Sequence, residues 1–425
     1  MSLVAGFSAL VTPAAADTAT AAVNDTVTVT GAGWGHGYGM SQYGAYGAAS
    51  QGKTWQQIVG FYYPKTTLAT LPSGNQIRVW IGADTDSNLV VLPATGLRLH
   101  DLSGGTTWTF PSGTDYTQWR ITRSSAGSVL SYRTPAGTWA VQKTSLPATA
   151  LWQVENPGTG VVKVLLPGSR LRELRGQVSL SAYRTGARTV NRLSLEDYLK
   201  SVVPLEMPTS WGTQAVRAQA VAARSFAART RAGVASSASY DICDTASCQV
   251  YQGMAETSGG RRTLVETSAG TAAITATAGQ VVRYGDTIAL TQFSSSNGGA
   301  IAQGGYPYLA AKVDPYDAVM HNEVWSVPLS RARIQVAYPT VGTLRSIQVT
   351  SRDGTGRWGG RVLSLTITGS NAGVRVTGDS FQSTFGLKSR LFEVTGGLAP
   401  GTVNYTRWQT EGGVLGWIGE PTESE

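Results

Sequence analysis

Residues Ser194–Ala228, SLEDYLKSVVPLEMPTSWGTQAVRAQAVAARSFAA, constrain the fold more than any other stretch. Ser194 reads as the N-cap of a helix over Leu195–Val203. Two prolines, Pro204 and Pro208, then bracket a lone acidic residue, Glu206. Beyond them Thr209 or Ser210 caps a second helix that runs to about Arg231 and stops at Gly233. Ala215, Ala218, Ala222 and Ala223 let neighbouring backbone approach this helix closely. Arg217, Arg224 and Arg231 recur every seven residues along one stripe, either a solvated basic face or a row turned to a cleft. A carboxyl group on a rigid bend beside a helix start is well placed to hold a proton donor.

The rest of the chain reads as β-rich, which makes the fold class α+β. At 425 residues it divides into two or more lobes. Only 14% of residues are charged and 51 are glycine, so turns abound, with Val, Thr, Ser and Trp recurring between them. Strands are expected in Arg78–Tyr183 as RVWIGA, LVVLPA, LRLHD, TTWTF, SVLSYR, TWAVQK, VVKVLL and QVSLSAY. Ahead of them, TVTVT at Thr26–Thr30 alternates like a strand and leads into a glycine-rich block, Gly31–Pro64. Two short helical pieces follow from Met40 to about Tyr63, split near Gly52 and ended by Pro64. A helical piece is expected around Arg261–Ala269, then strands VVRYG and LTQFSSSNGG, and strand character returns over Arg345–Val394. The resulting division is 1–25 tail, 26–77 glycine block, 78–183 β-rich lobe, 184–396 core, and 397–425 linker and terminal module.

The net charge of +8 suits an anionic partner, but no Lys/Arg run is dense enough to favour nucleic acid. Met1–Ala16 is apolar and small, with Ala14-Ala15-Ala16 before Asp17 like a cleavage site; it lacks a basic start, so it reads as the remnant of an export signal. No run of 18 apolar residues follows, so no transmembrane helix is expected. The two cysteines, Cys243 and Cys248, suit a disulfide in an exported protein, worth about 2 kcal/mol for so short a loop. A zinc site would need further ligands, and His36, His100 and His321 are all distant in sequence.

The EMP segment at 206–208, AQAVAAR at 218–224 and CQVY at 248–251 resemble the stage II sporulation protein D family (SpoIID/LytB). RGQVSLSAYRTGARTVNRLSLEDYL, CDTASCQVYQG, FSSSNGG at Phe293–Gly299 and the Gly31–Pro64 block extend the likeness over about residues 26–396. The resemblance implies a β-rich, two-lobed fold with the long Ala-rich helix behind the active-site segment. It also implies a lytic transglycosylase of peptidoglycan, secreted to the cell wall. Two departures stand out. In the sporulation proteins a GHGxGMSQYGA block follows the GLKSRLFEV-like strand, whereas here it occupies residues 35–45; this implies circular permutation, and hence that the strand at Val27–Val29 packs beside Leu391–Val394. Some relatives bind zinc near the cysteines with histidines that this sequence lacks there, so no cofactor is carried over. The C-terminal TRWQTEGGVLGWIGEPTES resembles one LGFP repeat, a cell-wall module.

Cleaving a β-1,4 bond between MurNAc and GlcNAc requires protonation of the bridging oxygen as an oxocarbenium-like centre develops. A lytic transglycosylase lets the sugar's own C6 hydroxyl attack, so one carboxyl serves first as acid and then as base. Glu206 is the candidate for that role. Glu196 and Asp197 compete, but both suit the first turn of a helix. A helix start would lower the Glu206 pKa, so burial against Trp211, Met207 or a tyrosine has to outweigh it. Arg224 either grips the lactyl carboxylate of MurNAc or makes an internal salt bridge. Gln219 contacts sugar or satisfies backbone. His36, between Gly35 and Gly37, is a site member or part of a turn, with Ser41 and Gln42 beside it. Gln249, Tyr251, Ser295, Ser296 and Asn297 offer polar groups to a sugar or belong to turn chemistry. The alternative reading is a non-catalytic wall-binding modulator of an amidase; an ordinary hydrolase leaving reducing ends is a third.

Overall fold

A computed structural model describes residues 26–102, 104–124, 127–146, 152–183, 186–318 and 324–395. The signal remnant, the LGFP-like segment and His321 lie outside them. The architecture is α+β, as expected. Seven α-helices occur among the described residues: α1 (Gln42–Ser50), α2 (Trp55–Tyr62), α3 (Leu195–Glu206), α4 (Thr213–Ala232), α5 (Ser268–Ala276), α6 (Arg331–Ala337) and α7 (Gly378–Phe385).

Two antiparallel sheets form the β-rich part. One runs Trp139–Leu146, Gly127–Arg133, Gln118–Ser124, Asn88–Val91, Val161–Leu166, Arg170–Arg175, Ala255–Ser258, Arg261–Leu264. The other runs Ile242–Cys243, Gln76–Trp80, Gly186–Ser194, Gln177–Tyr183, Trp152–Glu155, Arg98–Asp101, Thr107–Thr109, with only the first pair parallel. Alternation turns Val79, Val154 and Val178 of one sheet and Val91, Trp119 and Val164 of the other into a single core, which also takes in α1 to α5.

The expected lobe boundary at 183/184 therefore falls inside a hairpin, since Tyr183 pairs with Gly186 and Gln177 with Arg192. The expected 184–396 unit also divides. Trp325–Ser330, Thr26–Gly31 and Phe392–Thr395 form one three-stranded sheet, Leu344–Arg352, Val362–Gly369 and Gly373–Thr377 another, and with α6 and α7 they enclose a second core. Within it Val29 pairs with Val394 and Gly31 with Phe392, so the first described strand lies beside the last, as expected.

The helix expected around Arg261–Ala269 is instead a hairpin followed by α5. Gly259 and Gly260 both take positive φ (56° and 77°), the conformation of a two-residue turn, so Arg261–Leu264 pairs back onto Ala255–Ser258. Thr267 then caps α5. Ser194 caps α3 as read, accepting from the Asp197 amide. α4 starts later than expected, with Gly212 at its N-cap, and ends before Gly233.

Candidate active site

Glu206 is the last residue of α3. Helix α3 continues past Val203 and accommodates Pro204 in its last turn. This reverses the electrostatics expected from the sequence: Glu206 sits at a helix C-terminus, where the partial negative charge disfavours a carboxylate. The carboxyl is half-buried, and burial is the main cause that raises its pKa above the ordinary glutamate value. One contact works in the opposite direction, the Val250 amide donating to Oε1 at 3.0 Å.

That amide belongs to the segment beyond the disulfide. Cys243 and Cys248 are bonded, closing a short loop. Asp244 anchors its base by accepting from the Gly82 amide at 3.0 Å and the buried Arg172 guanidinium at 2.8 Å. The chain then runs along α3 and is pinned to it three times. The Tyr198 hydroxyl donates to Gln249 Oε1 (3.0 Å), the Gln252 amide to Ser201 Oγ (3.1 Å), and the Val250 amide to Glu206. Tyr198 is fully buried, and its phenol is held far above the usual range by burial first and then by the nearby Glu206 charge.

Beyond Glu206, buried Met207 ends the helix and Trp211 packs against Tyr43 and Tyr46 of α1, with ring centroids 4.6 and 5.2 Å apart. Gln214 accepts from the Trp55 amide at the start of α2 (2.9 Å). The glycine-rich block is thus fastened to the Glu206 segment through aromatic faces. Tyr43, Tyr46 and Tyr198 were missed by sequence reasoning, because nothing local distinguishes them from other aromatics. Trp211, three residues past Pro208, was the one available signal.

The remaining expected site residues divide by what their side chains already hold. Arg224 is fully buried and makes a bidentate pair with Glu196 at 2.8 and 2.7 Å, its other hydrogens reaching the Gln280 and Ile274 carbonyls. The internal salt bridge is what the structure contains, so this guanidinium is not presented to a cleft. Along the stripe only Arg224 is buried, while Arg217 and Arg231 are half-buried. Gln249 is an internal strut between Tyr198 and the Ala223 carbonyl. Tyr251 is buried, stacks on Tyr198 (5.3 Å) and donates to Asn191 at 2.6 Å. Gln219 is fully buried, and neither polar atom of its amide has a partner among the described residues.

Ser41 caps α1, accepting from the Gly44 amide and donating to Asp317. Ser296 donates to the same carboxylate (2.9 Å), and Asn297 donates to Asp314 (2.6 Å), which also accepts from Tyr62 (2.7 Å). Ser41, Ser296 and Asn297 are therefore buried parts of a carboxylate network that ties α1 to Phe293–Asn297. Gln42 is buried beside them, and Ser295 is half-buried with its carbonyl accepting from the Tyr43 amide.

His36 is half-buried and stacks on Tyr38 at 5.0 Å, with Nδ1 accepting from the Tyr38 amide (2.9 Å). Burial, then Arg361 and Arg390, lower its pKa to about 4, so the ring is neutral at physiological pH. The flanking glycines serve close packing: a Cβ on Gly35 would lie 2.6 Å from Ser294 Cβ, and one on Gly37 2.1 Å from Arg361 Nη2. What stands open to chemistry is Glu206, a carboxyl held by one backbone amide and pushed toward its neutral form.

Comparison with known proteins agrees with this assembly. Residues 183–284, which hold α3, α4 and the disulfide loop, match the family model described as Stage II sporulation protein (SpoIID). The chain is 33% identical over 142 residues to the amidase enhancer of Bacillus subtilis (strain 168), covering 32% of this chain and 17% of that protein. It is 34% identical over 151 residues to stage II sporulation protein D of the same organism, covering 33% and 44%. To stage II sporulation protein D of Bacillus amyloliquefaciens it is 30% identical over 233 residues, covering 51% and 64%. Each of these matches spans less than two thirds of the relative's length. Through the segment that places Glu206 at the end of α3, the chain carries a region that matches the Stage II sporulation protein family model and is similar to stage II sporulation protein D.

Proposed function

We propose that the chain is an exported lytic transglycosylase that cuts MurNAc–GlcNAc β-1,4 bonds in peptide-stripped glycan strands, leaving 1,6-anhydro ends, with Glu206 as general acid and then base. The observation that carries the reading is the raised pKa of this half-buried carboxyl at a helix C-terminus. With Oε1 accepting from Val250, the proton resides on Oε2. It passes to the bridging oxygen as the C1–O4 bond breaks. The resulting carboxylate takes the C6 hydroxyl proton while O6 bonds to C1, which restores the acid without a second carboxylate. The Trp211–Tyr43–Tyr46 cluster borders this carboxyl's segment with apolar faces of the kind sugar rings stack on.

The pairing of Thr26–Gly31 with Phe392–Thr395 supports reading the chain as a circular permutation of the family's order. A second reading, a non-catalytic modulator of a wall amidase, is favoured by the similarity to the amidase enhancer. The two separate when wild type and Glu206→Gln are incubated with peptide-free glycan strands and the products weighed. Anhydro ends made by wild type and lost at least 100-fold in the variant support catalysis. Intact glycan with both proteins, together with stimulation of an added amidase, selects the modulator; reducing ends select a hydrolase. Because burial raises the Glu206 pKa, cleavage that depends on the protonated acid falls as pH rises through that raised value.

A further inference from the structure

Two cavities of about 560 and 610 Å³ open beside the Gln76–Trp80 strand, and Gln76 and Arg192 line both. They are two halves of one groove. The first half is walled by the Pro72–Asn75 turn, Arg78, Arg231 and Asp241, and the second by Arg98, Glu155 and Asp197. The groove meets the N-terminal end of α3, whose 12 residues place Glu206 about 18 Å away at the other end.

The groove's charges do not cancel. Each carboxylate already has a cation: Asp241 pairs with Arg78 at 2.6 Å, Glu155 with Arg98 at 3.2 Å, and Asp197 with Lys200 at 2.7 Å. Arg231 donates to the Gln76 carbonyl at 2.7 Å, a neutral acceptor, and has no carboxylate partner among the described residues. Arg192 has no carboxylate partner among the described residues. Surplus guanidinium charge on a concave surface attracts carboxylates or phosphates. Among the described residues no aromatic side chain lines either half to stack a nucleic-acid base, whereas Asn75, Gln76, Asn156 and Gln177 suit sugar hydroxyls. Two open cavities in series exceed the needs of a single small anion.

We propose that this groove binds a linear, hydroxyl-bearing polyanion, its carboxylates or phosphodiesters resting on Arg192 and Arg231. It is an anchoring site separate from Glu206, holding the protein on an anionic wall polymer. The test titrates the full chain calorimetrically with three probes: oligogalacturonate (carboxylates), a poly(glycerol phosphate) oligomer (phosphodiesters) and uncharged cellohexaose. At least one anionic probe binds, more weakly as salt rises, and the one that binds identifies the anion. The Arg192→Gln/Arg231→Gln pair loses at least tenfold in affinity, while Glu206→Gln binds as wild type does. Ser236→Glu, at an exposed lining position, adds an opposing charge without removing any internal contact and also weakens binding, which keeps the test valid if the double variant misfolds. Failure of both anionic probes to bind, equal binding of cellohexaose, or unchanged affinity in both sets of groove variants overturns the proposal. Because cleavage is read separately, loss of the catalytic reading leaves this result standing.

Discussion

The Arg224–Glu196 pair yields a quantitative prediction that separates an internal strut from a substrate contact. Arg224 is fully buried while the Glu196 side chain is 38% exposed, and their oxygens and nitrogens meet at 2.7 and 2.8 Å. Two unit charges about 4 Å apart attract by about 4 kcal/mol at an effective dielectric near 20. Solvent access to Glu196 removes roughly half of that, leaving a coupling of about 2 kcal/mol. The structure provides a second penalty, since Glu196 Oε1 also accepts from the Gly279 amide at 3.2 Å. Glu196→Gln leaves a buried cation with neutral acceptors only, and Arg224→Met leaves the carboxylate without its cation. Urea unfolding of the two single variants and the double is expected to show each single variant losing about 2 kcal/mol or more, with the double losing less than their sum. At an m-value of about 3 kcal/mol/M, each single change moves the midpoint by about 0.7 M. Coupling below about 0.5 kcal/mol, together with loss of binding only to glycans bearing a free lactyl carboxylate, would refute the strut and return Arg224 to the substrate.

Three further outcomes follow from the same contacts. Asp84 is buried, with Oδ1 unpartnered among the described residues and Oδ2 accepting from Thr189, and burial raises its pKa to about 7. A raised folded-state pKa favours folding below the ordinary carboxyl value and loses that advantage as pH rises to about 7, by at most about 4 kcal/mol; Asp84→Asn therefore gains stability relative to wild type between pH 4 and 8, and a constant difference across that range would contradict this. Gly37→Ala places a Cβ 2.1 Å from Arg361 Nη2, which is held by the Asn297 and Ala300 carbonyls, on backbone with φ of 74°. It is expected to cost at least about 2 kcal/mol in thermal unfolding, and a neutral result would show that Arg361 can move aside. Cys243→Ser/Cys248→Ser is expected to cost about 2 kcal/mol in denaturant titrations and to lower the proposed glycan cleavage, because the loop carries the Val250 amide onto Glu206; cleavage undiminished in the open variant would uncouple the two.

The local units were legible in the amino-acid order alone. Ser194 announced α3 because a hydroxyl cap satisfies an orphan amide whatever lies around it, and Gly233 marked the end of α4. Eight of the strands between residues 78 and 183 were legible from alternation; Gln118–Ser124 and Trp152–Glu155 were not, and Arg170–Arg175 was hidden by charged residues that the fold buries, Arg172 and Glu173. Cysteine spacing, the Pro-bracketed Glu206 and the family motifs were likewise readable in one dimension.

Which groups are left with unsatisfied chemistry was settled by packing between distant segments. An Ala-rich helix can be buried on several faces, so periodicity said that Arg217, Arg224 and Arg231 share a stripe but not that Glu196 would neutralise the middle one. Ser41, Ser296 and Asn297 carry the right atoms for a sugar, yet Asp314 and Asp317, far along the chain, had already claimed them. Glu206 changed from the start of one helix to the end of another, and with it the sign of the local field, because Pro204 was absorbed into the last turn of α3. Capping and turn formation are short-range, and sequence carries them directly. Burial, charge pairing and pKa depend on which distant surfaces close over a side chain, and only the packed chain sets those.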